Sequence, residues 1–153
     1  MYQVMVVDDE PMAASLIVNI IKRKYSNFEI MGTAYDGEEA LELMEEKGEP
    51  DVLITDIQMP VMNGLKLVEE TKKRYPEVIS VIVSGYQEFE YAKQAIAFGV
   101  CDYILKPIVP SEFSKLITRI EEKLRQKYYK ERNTLMHKMV NEIPVDEKTL
   151  RRY

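Results

Sequence analysis

The chain predicts an α/β domain, a parallel sheet with helices on both faces. Three observations carry that expectation. Short apolar, β-branched runs recur through residues 1–122, stretches with apolar residues at helical spacing lie between them, and Gly, Pro, Asn or Asp punctuate the junctions. The first run, Tyr2–Val7, suits a strand buried on both faces and stops at Asp8-Asp9-Glu10. Pro11 fits the first turn of a helix, and the acidic residues before it suit the positive end of the helix dipole. Leu16, Ile17, Ile20 and Ile21 then recur with helical period to about Tyr25. Residues 28–34 read as a second strand. Asp36-Gly37 turns the chain into a helix over 38–47 with Ala40, Leu41 and Met44 on its apolar face, closed by Gly48 and Pro50.

Val52, Leu53 and Ile54 begin a third buried strand, with Asp56 following where it runs out into a loop. Met59-Pro60 cannot continue a ladder, and Asn63-Gly64 signals a turn. Leu65, Leu67 and Val68 lie on a helix ended by Tyr75-Pro76. Residues 78–83 form a fourth strand stopping at Ser84-Gly85. Phe89, Ala92, Ala95, Ile96 and Phe98 suggest a helix closed by Gly99. Residues 101–105 make a fifth short strand ending at Lys106-Pro107. A last helix begins near Pro110-Ser111, with Phe113, Leu116, Ile117 and Ile120 inward.

Bulk properties narrow the class. A composition 46% hydrophobic and 31% charged is that of an ordinary globular protein. There is no apolar run of membrane-spanning length and no basic-then-apolar leader, so a cytoplasmic protein without a membrane partner is expected. The single cysteine, Cys101, excludes an internal disulfide framework or a cysteine zinc site and reads most simply as a small buried hydrophobe. Residues 1–118 carry 11 Lys+Arg against 20 Asp+Glu, a net −9, whereas residues 119–153 carry 10 against 6, a net +4. The acidic body is a poor ligand for nucleic acid; a solvated helix face explains the basic tail at least as well as a binding role does.

Four successive strand ends carry polar groups: Asp8-Asp9, Asp56, Ser84 and Lys106. A doubly wound sheet would bring them to one edge, where such folds place their ligands. Clustered carboxylates repel one another and call for a cation, and hard oxygen donors in a loop suit Mg²⁺. A carboxylate nucleophile with a divalent metal, an ammonium and a hydroxyl makes a site for phosphoryl transfer onto Asp. Taken singly, Asp8 could be a helix cap and Ser84 a turn residue. His137, in the polar tail, reads as a solvated helix residue.

The stretches V-V-D-D-E, L-I-T-D-I-Q-M-P-V-M-N-G, V-S-G-Y and D-Y-I-L-K-P resemble the receiver domain of bacterial two-component response regulators, over residues 1–122. The resemblance implies a flavodoxin-like sheet in the order 2-1-3-4-5, with Asp56 as acceptor of a phosphoryl group from a histidine kinase. It implies Mg²⁺ held by Asp8, Asp9, Asp56 and the backbone carbonyl of Gln58, and Lys106 paired with the phosphoryl group. Ser84 and Tyr103 would move as a switch, Pro107 would follow a cis bond, and Gln58 and Tyr86 would flank the path of attacking water, with Tyr86 screening it. The stretch S-G-Y-Q-E-F-E-Y-A-K-Q-A-I further resembles receivers fused to AraC-type DNA-binding domains.

Rival functions are weighed on single positions. A phosphohydrolase of the haloacid-dehalogenase type looks for a second Asp two residues after its nucleophile, and Gln58 stands there. A nucleotide-binding domain needs a glycine-rich loop after the first strand, where Asp8-Asp9-Glu10-Pro11 would repel phosphate. A degenerate receiver that only binds a partner would not need the acidic, hydroxyl and lysine positions intact. The expectation is therefore a switch, not a turnover enzyme.

From Pro110 no Pro or Gly occurs until Pro144, so one helix can run to about Asn141. Leu124, Tyr128, Leu135 and Met139 continue a sparse apolar stripe interrupted by Glu131 and Arg132. Residues 123–153 are accordingly expected to be a helical extension, favouring a homodimer through the last helix. No helix-turn-helix can be drawn there, so DNA would be reached only through an output domain outside these residues.

Overall fold

A computed structural model describes residues 1–85, 99–100 and 102–140. Parallel strands β1 (Tyr2–Val7), β2 (Phe28–Ala34), β3 (Val52–Asp56), β4 (Ile79–Ser84) and β5 (Asp102–Leu105) form one sheet in the order β2-β1-β3-β4-β5. Helices α1 (Pro11–Lys24), α2 (Gly37–Lys47), α3 (Gly64–Arg74) and α4 (Pro110–Val140) complete the described elements. The helix expected over 89–98, together with Tyr86, Cys101 and residues 141–153, lies outside the described residues. Among those described, no helix is long and apolar enough to cross a membrane.

β3 is central and buried along its whole length, which is why Val52, Leu53 and Ile54 are apolar without alternation. Burying side chains such as Leu53 and Ile54 contributes about 1.5–3 kcal/mol each. One core cluster joins Met5, Val7, Leu41, Met44, Leu53 and Leu67; a second joins Ile57, Leu65, Val68 and Ile82. Register carries the polar strand ends to one edge. Val7 stands opposite Thr55, Asp56 opposite Val83, and Ser84 opposite Leu105. The chain goes from β1 to β2 on one side and then from β2 across to β3 on the other side of β1, so the crevice between β1 and β3 is the switch point where ligands bind in such sheets.

Several local readings are refined. Of the residues that recur with helical period in α1, Leu16 is 53% exposed beside an exposed Met12; Ala14, Ile17 and Ile21 form the buried stripe. Asp36 and Asn63 are helix caps, accepting from the amides of Glu39 and Lys66. The turn read at Asn63-Gly64 is thus the start of α3, and Asp56 closes β3 rather than following it. The chain divides into two compact units, residues 1–113 and 114–153. Within the first, Phe113 is buried and its ring meets that of Tyr25 at a centroid distance of 5.8 Å. Along the α4 portion of the second, Leu116, Ile117, Ile120, Leu124 and Leu135 are buried, while Tyr129 and Met136 are exposed.

The loop from β3 to α3 contains a strained residue. Val61 has φ 68°, and the amide of Met62 donates to the Pro60 carbonyl at 2.7 Å, closing a three-residue turn of the less stable hand. A β-branched side chain in left-handed backbone costs about 1–2 kcal/mol. Val61 is 74% exposed and so recovers little through burial. Val61→Asn, which tolerates this backbone, should raise unfolding stability by about 1 kcal/mol in a urea melt. A destabilised variant would show that the valine side chain has an unrecognised stabilising role.

Candidate functional site

Three carboxylates meet at the carboxyl ends of β1 and β3. One oxygen from each of Asp8, Asp9 and Asp56 lies within 4.8 Å of the others. Asp8 is 1% exposed and Asp56 8%, whereas Asp9 faces solvent. Local bonds aim the two buried groups. Asp8 Oδ1 accepts from the Glu10 amide at 3.0 Å, and Asp56 Oδ1 accepts from the Ile57 amide at 2.8 Å. The Thr55 hydroxyl donates to the Asp56 carbonyl at 2.9 Å, which anchors the strand end.

Lys106 reaches this cluster from the far side of the sheet. Its Nζ donates to Asp8 Oδ2 at 2.9 Å and lies 3.5 Å from Asp56 Oδ2. Its own amide donates to the Ser84 carbonyl at 2.7 Å, tying the end of β5 to the end of β4. The Lys106–Pro107 peptide is cis. Burial works to lower the Lys106 pKa, but the hydrogen bond to Asp8 and the charges of Asp56 and Asp8 outweigh it and hold the ammonium above the ordinary lysine value. Lys106 is therefore a fixed positive charge throughout the neutral range.

An open cleft is lined by Asp9, Glu10, Asp56, Gln58, Met59, Gly85 and Lys106. Ser84 is fully buried, and its hydroxyl has no hydrogen-bond partner among the described residues, an unusual state for a buried polar group. Tyr103 pairs with Ile82 in the sheet and packs, partly buried, against the cluster of Ile57, Leu65, Val68 and Ile82. The structure thus brings Asp8, Asp9, Asp56 and Lys106 into contact range, puts Gln58 on the same cleft and Ser84 at the neighbouring strand end.

The donor set fits a hard divalent cation such as Mg²⁺: all three carboxylates supply oxygen, two are held by backbone amides, and the cleft leaves room for water ligands. The Lys106 ammonium already offsets part of their charge, so the cation would compete with it for Asp8 and Asp56.

Sequence reasoning missed the role of Gly64. A Cβ there would fall 1.9 Å from the Asp56 carbonyl oxygen, so only glycine lets α3 start against the end of β3. It also missed Glu10 and Met59 as lining residues. Glu10 adjoins the acidic pair in sequence, which was the available signal; nothing local marks Met59.

The family model for the response regulator receiver domain matches residues 4–119. The chain is 36% identical over 141 residues to the uncharacterized transcriptional regulatory protein YesN of Bacillus subtilis, covering 91% of this chain and 38% of that protein. It is also 36% identical over 120 residues to the transcriptional regulatory protein HptR of Staphylococcus aureus, covering 78% of this chain and 46% of that one. The chain therefore spans less than half the length of these relatives. Among solved structures, the receiver domain of AraT, a response regulator from Geobacillus stearothermophilus, superposes with a TM-score of 0.77 at 37% identity, covering 83% of this chain and 98% of that one. The receiver domain of NtrX from Brucella abortus gives a TM-score of 0.70 at 31% identity, covering 78% and 98%.

Proposed function

The chain belongs to the response regulator receiver family, and on that premise we propose that it accepts a phosphoryl group on Asp56 from a sensor histidine kinase and changes conformation in response. The observation that carries this reading is the convergence of three carboxylates and Lys106 at the switch point of the sheet. Asp56 is the acceptor because it alone of the three stands on the central strand, at the cleft, with one oxygen tied to the Ile57 amide. Asp8, Asp9, Asp56 and the backbone carbonyl of Gln58 hold Mg²⁺, which when bound offsets negative charge on the incoming phosphoryl group. Lys106 pairs with that group once it is attached.

The buried, unpartnered Ser84 hydroxyl supports its part in the switch, since a phosphoryl oxygen on Asp56 offers the acceptor it lacks. Tyr103, partly buried on the adjacent strand, follows it. The protein is not a turnover enzyme: Gln58 stands where a haloacid-dehalogenase-type hydrolase places its second Asp, so chemistry is confined to gain and loss of its own phosphoryl group. The output is transcriptional, through a DNA-binding domain of AraC type outside these residues, and the protein works in the cytoplasm. Residues 1–122 form the receiver and residues 123–153 the extension that leads toward the output domain.

Mg²⁺ dependence tests this reading. Uptake from a small phosphodonor should occur with Mg²⁺ and fall to background with chelator. Chelator-resistant uptake would contradict a carboxylate site that needs a cation.

Self-association through the last helix is part of the same proposal, and burial narrows where it forms. Ile117, Ile120 and Leu124 are already buried in the single chain, whereas Tyr129 and Met136, one heptad apart, are exposed. Sedimentation should show dimers in the micromolar range, about −8 kcal/mol, weakened by Tyr129→Glu and Met136→Glu together. A full chain that stays monomeric at every concentration, with or without a phosphoryl mimic, would rule the dimer out.

A further inference from the structure

The cleft carries one carboxylate more than the proposed chemistry uses. Glu10 is exposed and lines the cleft with Asp9, Asp56 and Lys106. It occupies the N-cap of α1, yet its side chain makes no capping hydrogen bond; among the described residues only its backbone is engaged, the amide donating to Asp8 Oδ1 and the carbonyl accepting from Ala14. Glutamate is not among the residues favoured at N-caps, so its carboxylate is left off the helix amides, on a residue that lines the cleft.

Charge decides what that does. Asp8, Asp9 and Asp56 against Lys106 and one divalent cation sum to zero. A phosphodonor then brings a doubly charged phosphoryl group to a neutral centre, and Glu10, with no ion pair among the described residues, adds a negative charge to the cleft lining. Resting on the phosphoacceptor reading above, we propose that Glu10 is a specificity-determining residue that selects the class of phosphodonor, disfavouring small anionic donors in free solution relative to phosphohistidine on a docked protein. The transfer is the same in both cases. An Asp56 oxygen bonds to phosphorus as the donor's P–O or P–N bond breaks; the electron pair leaves with a carboxylate from an acyl phosphate, or with a nitrogen that takes a proton. A free dianion must cross the repulsive field unaided, so its encounter rate falls. For a docked protein, contact surface offsets the repulsion and holds the reacting atoms together.

An exposed charge within about one Debye length of the phosphorus (~8 Å at physiological salt) should change encounter with a dianion about two- to fivefold. The test follows phosphorylation of the full chain by acetyl phosphate at saturating Mg²⁺, for wild type, Glu10→Gln and Glu10→Lys, at low and high ionic strength. Both variants should react faster at low salt, Glu10→Lys more so, and the gap should close as salt rises. Both should also bind Mg²⁺ more weakly by calorimetry, so the two effects have opposite sign, which a local distortion of the site would not produce. Equal or slower reaction, or a gap indifferent to salt, overturns the proposal for Glu10. Failure of the wild type to take up any phosphoryl group overturns the phosphoacceptor reading instead.

Discussion

Gly64→Ala should lower unfolding stability by about 3 kcal/mol or more, at the upper end of what overpacking usually costs. The added Cβ would lie 1.9 Å from the Asp56 carbonyl oxygen, 2.9 Å from its carbon and 3.0 Å from the Ile57 Cα. All three are backbone atoms of the strand end that carries the proposed acceptor, so no side chain can rotate away to make room. Relief requires moving α3 off β3, which would break the hydrogen bond from the Gly64 amide to the Ile57 carbonyl at 2.7 Å. It would also disturb the Asn63 cap and the packing of Leu65 and Val68. For a chain of this length the melting temperature should fall by about 6–12 °C. A variant melting within about 2 °C of the wild type would mean that the loop does not approach the strand end this closely.

Lys106→Ala should abolish most of the response to phosphorylation while strengthening Mg²⁺ binding severalfold. The ammonium is bonded to Asp8 and close to Asp56, so it occupies charge that the cation also needs. Removing it leaves the carboxylates more negative and the metal less contested. Without metal the same change leaves buried Asp8 without its ion-pair partner, and the variant should then be less stable than the wild type. Added Mg²⁺ should recover part of that loss by binding the native state. Once Asp56 is phosphorylated, the variant lacks the positive charge that holds the new group in place, so Ser84 and Tyr103 have no fixed phosphoryl position to follow. Calorimetric Mg²⁺ titration and comparison of the phosphorylated and unmodified spectra would check both halves. A large loss of Mg²⁺ affinity would contradict the competition between Lys106 and the metal.

Much of the architecture was legible because strand and helix periods are set by burial. Val52, Leu53 and Ile54 announce a strand covered on both faces, and the Ala40, Leu41 and Met44 stripe announces a helix on it. Sheet order was not legible from periodicity, since each strand carries a similar apolar run; it followed from motif resemblance, and the register then confirmed it. The missing parts depend on distances between elements distant along the chain or on backbone angles. Gly64 reads as an ordinary turn glycine until α3 is seen against Asp56, and Val61 gives no sign that its φ is positive. Leu16 recurs at helical spacing yet is exposed, because that spacing defines a stripe but not its width; Ala14, a weaker apolar signal, takes the buried place. At the site, Asp8, Asp9, Asp56 and Lys106 were legible as residue types at strand ends. That Lys106 bonds Asp8 more closely than Asp56, at 2.9 against 3.5 Å, was not.

The most direct test of the account is to locate the phosphoryl group. The full chain would be treated with a small phosphodonor and Mg²⁺, and the modified carboxyl mapped by mass spectrometry after hydride reduction of the acyl phosphate. The account predicts one modified position, Asp56, and no uptake by Asp56→Asn under the same conditions. A phosphoryl group on Asp8, Asp9 or any other residue of the wild type, or undiminished uptake by Asp56→Asn, would contradict it.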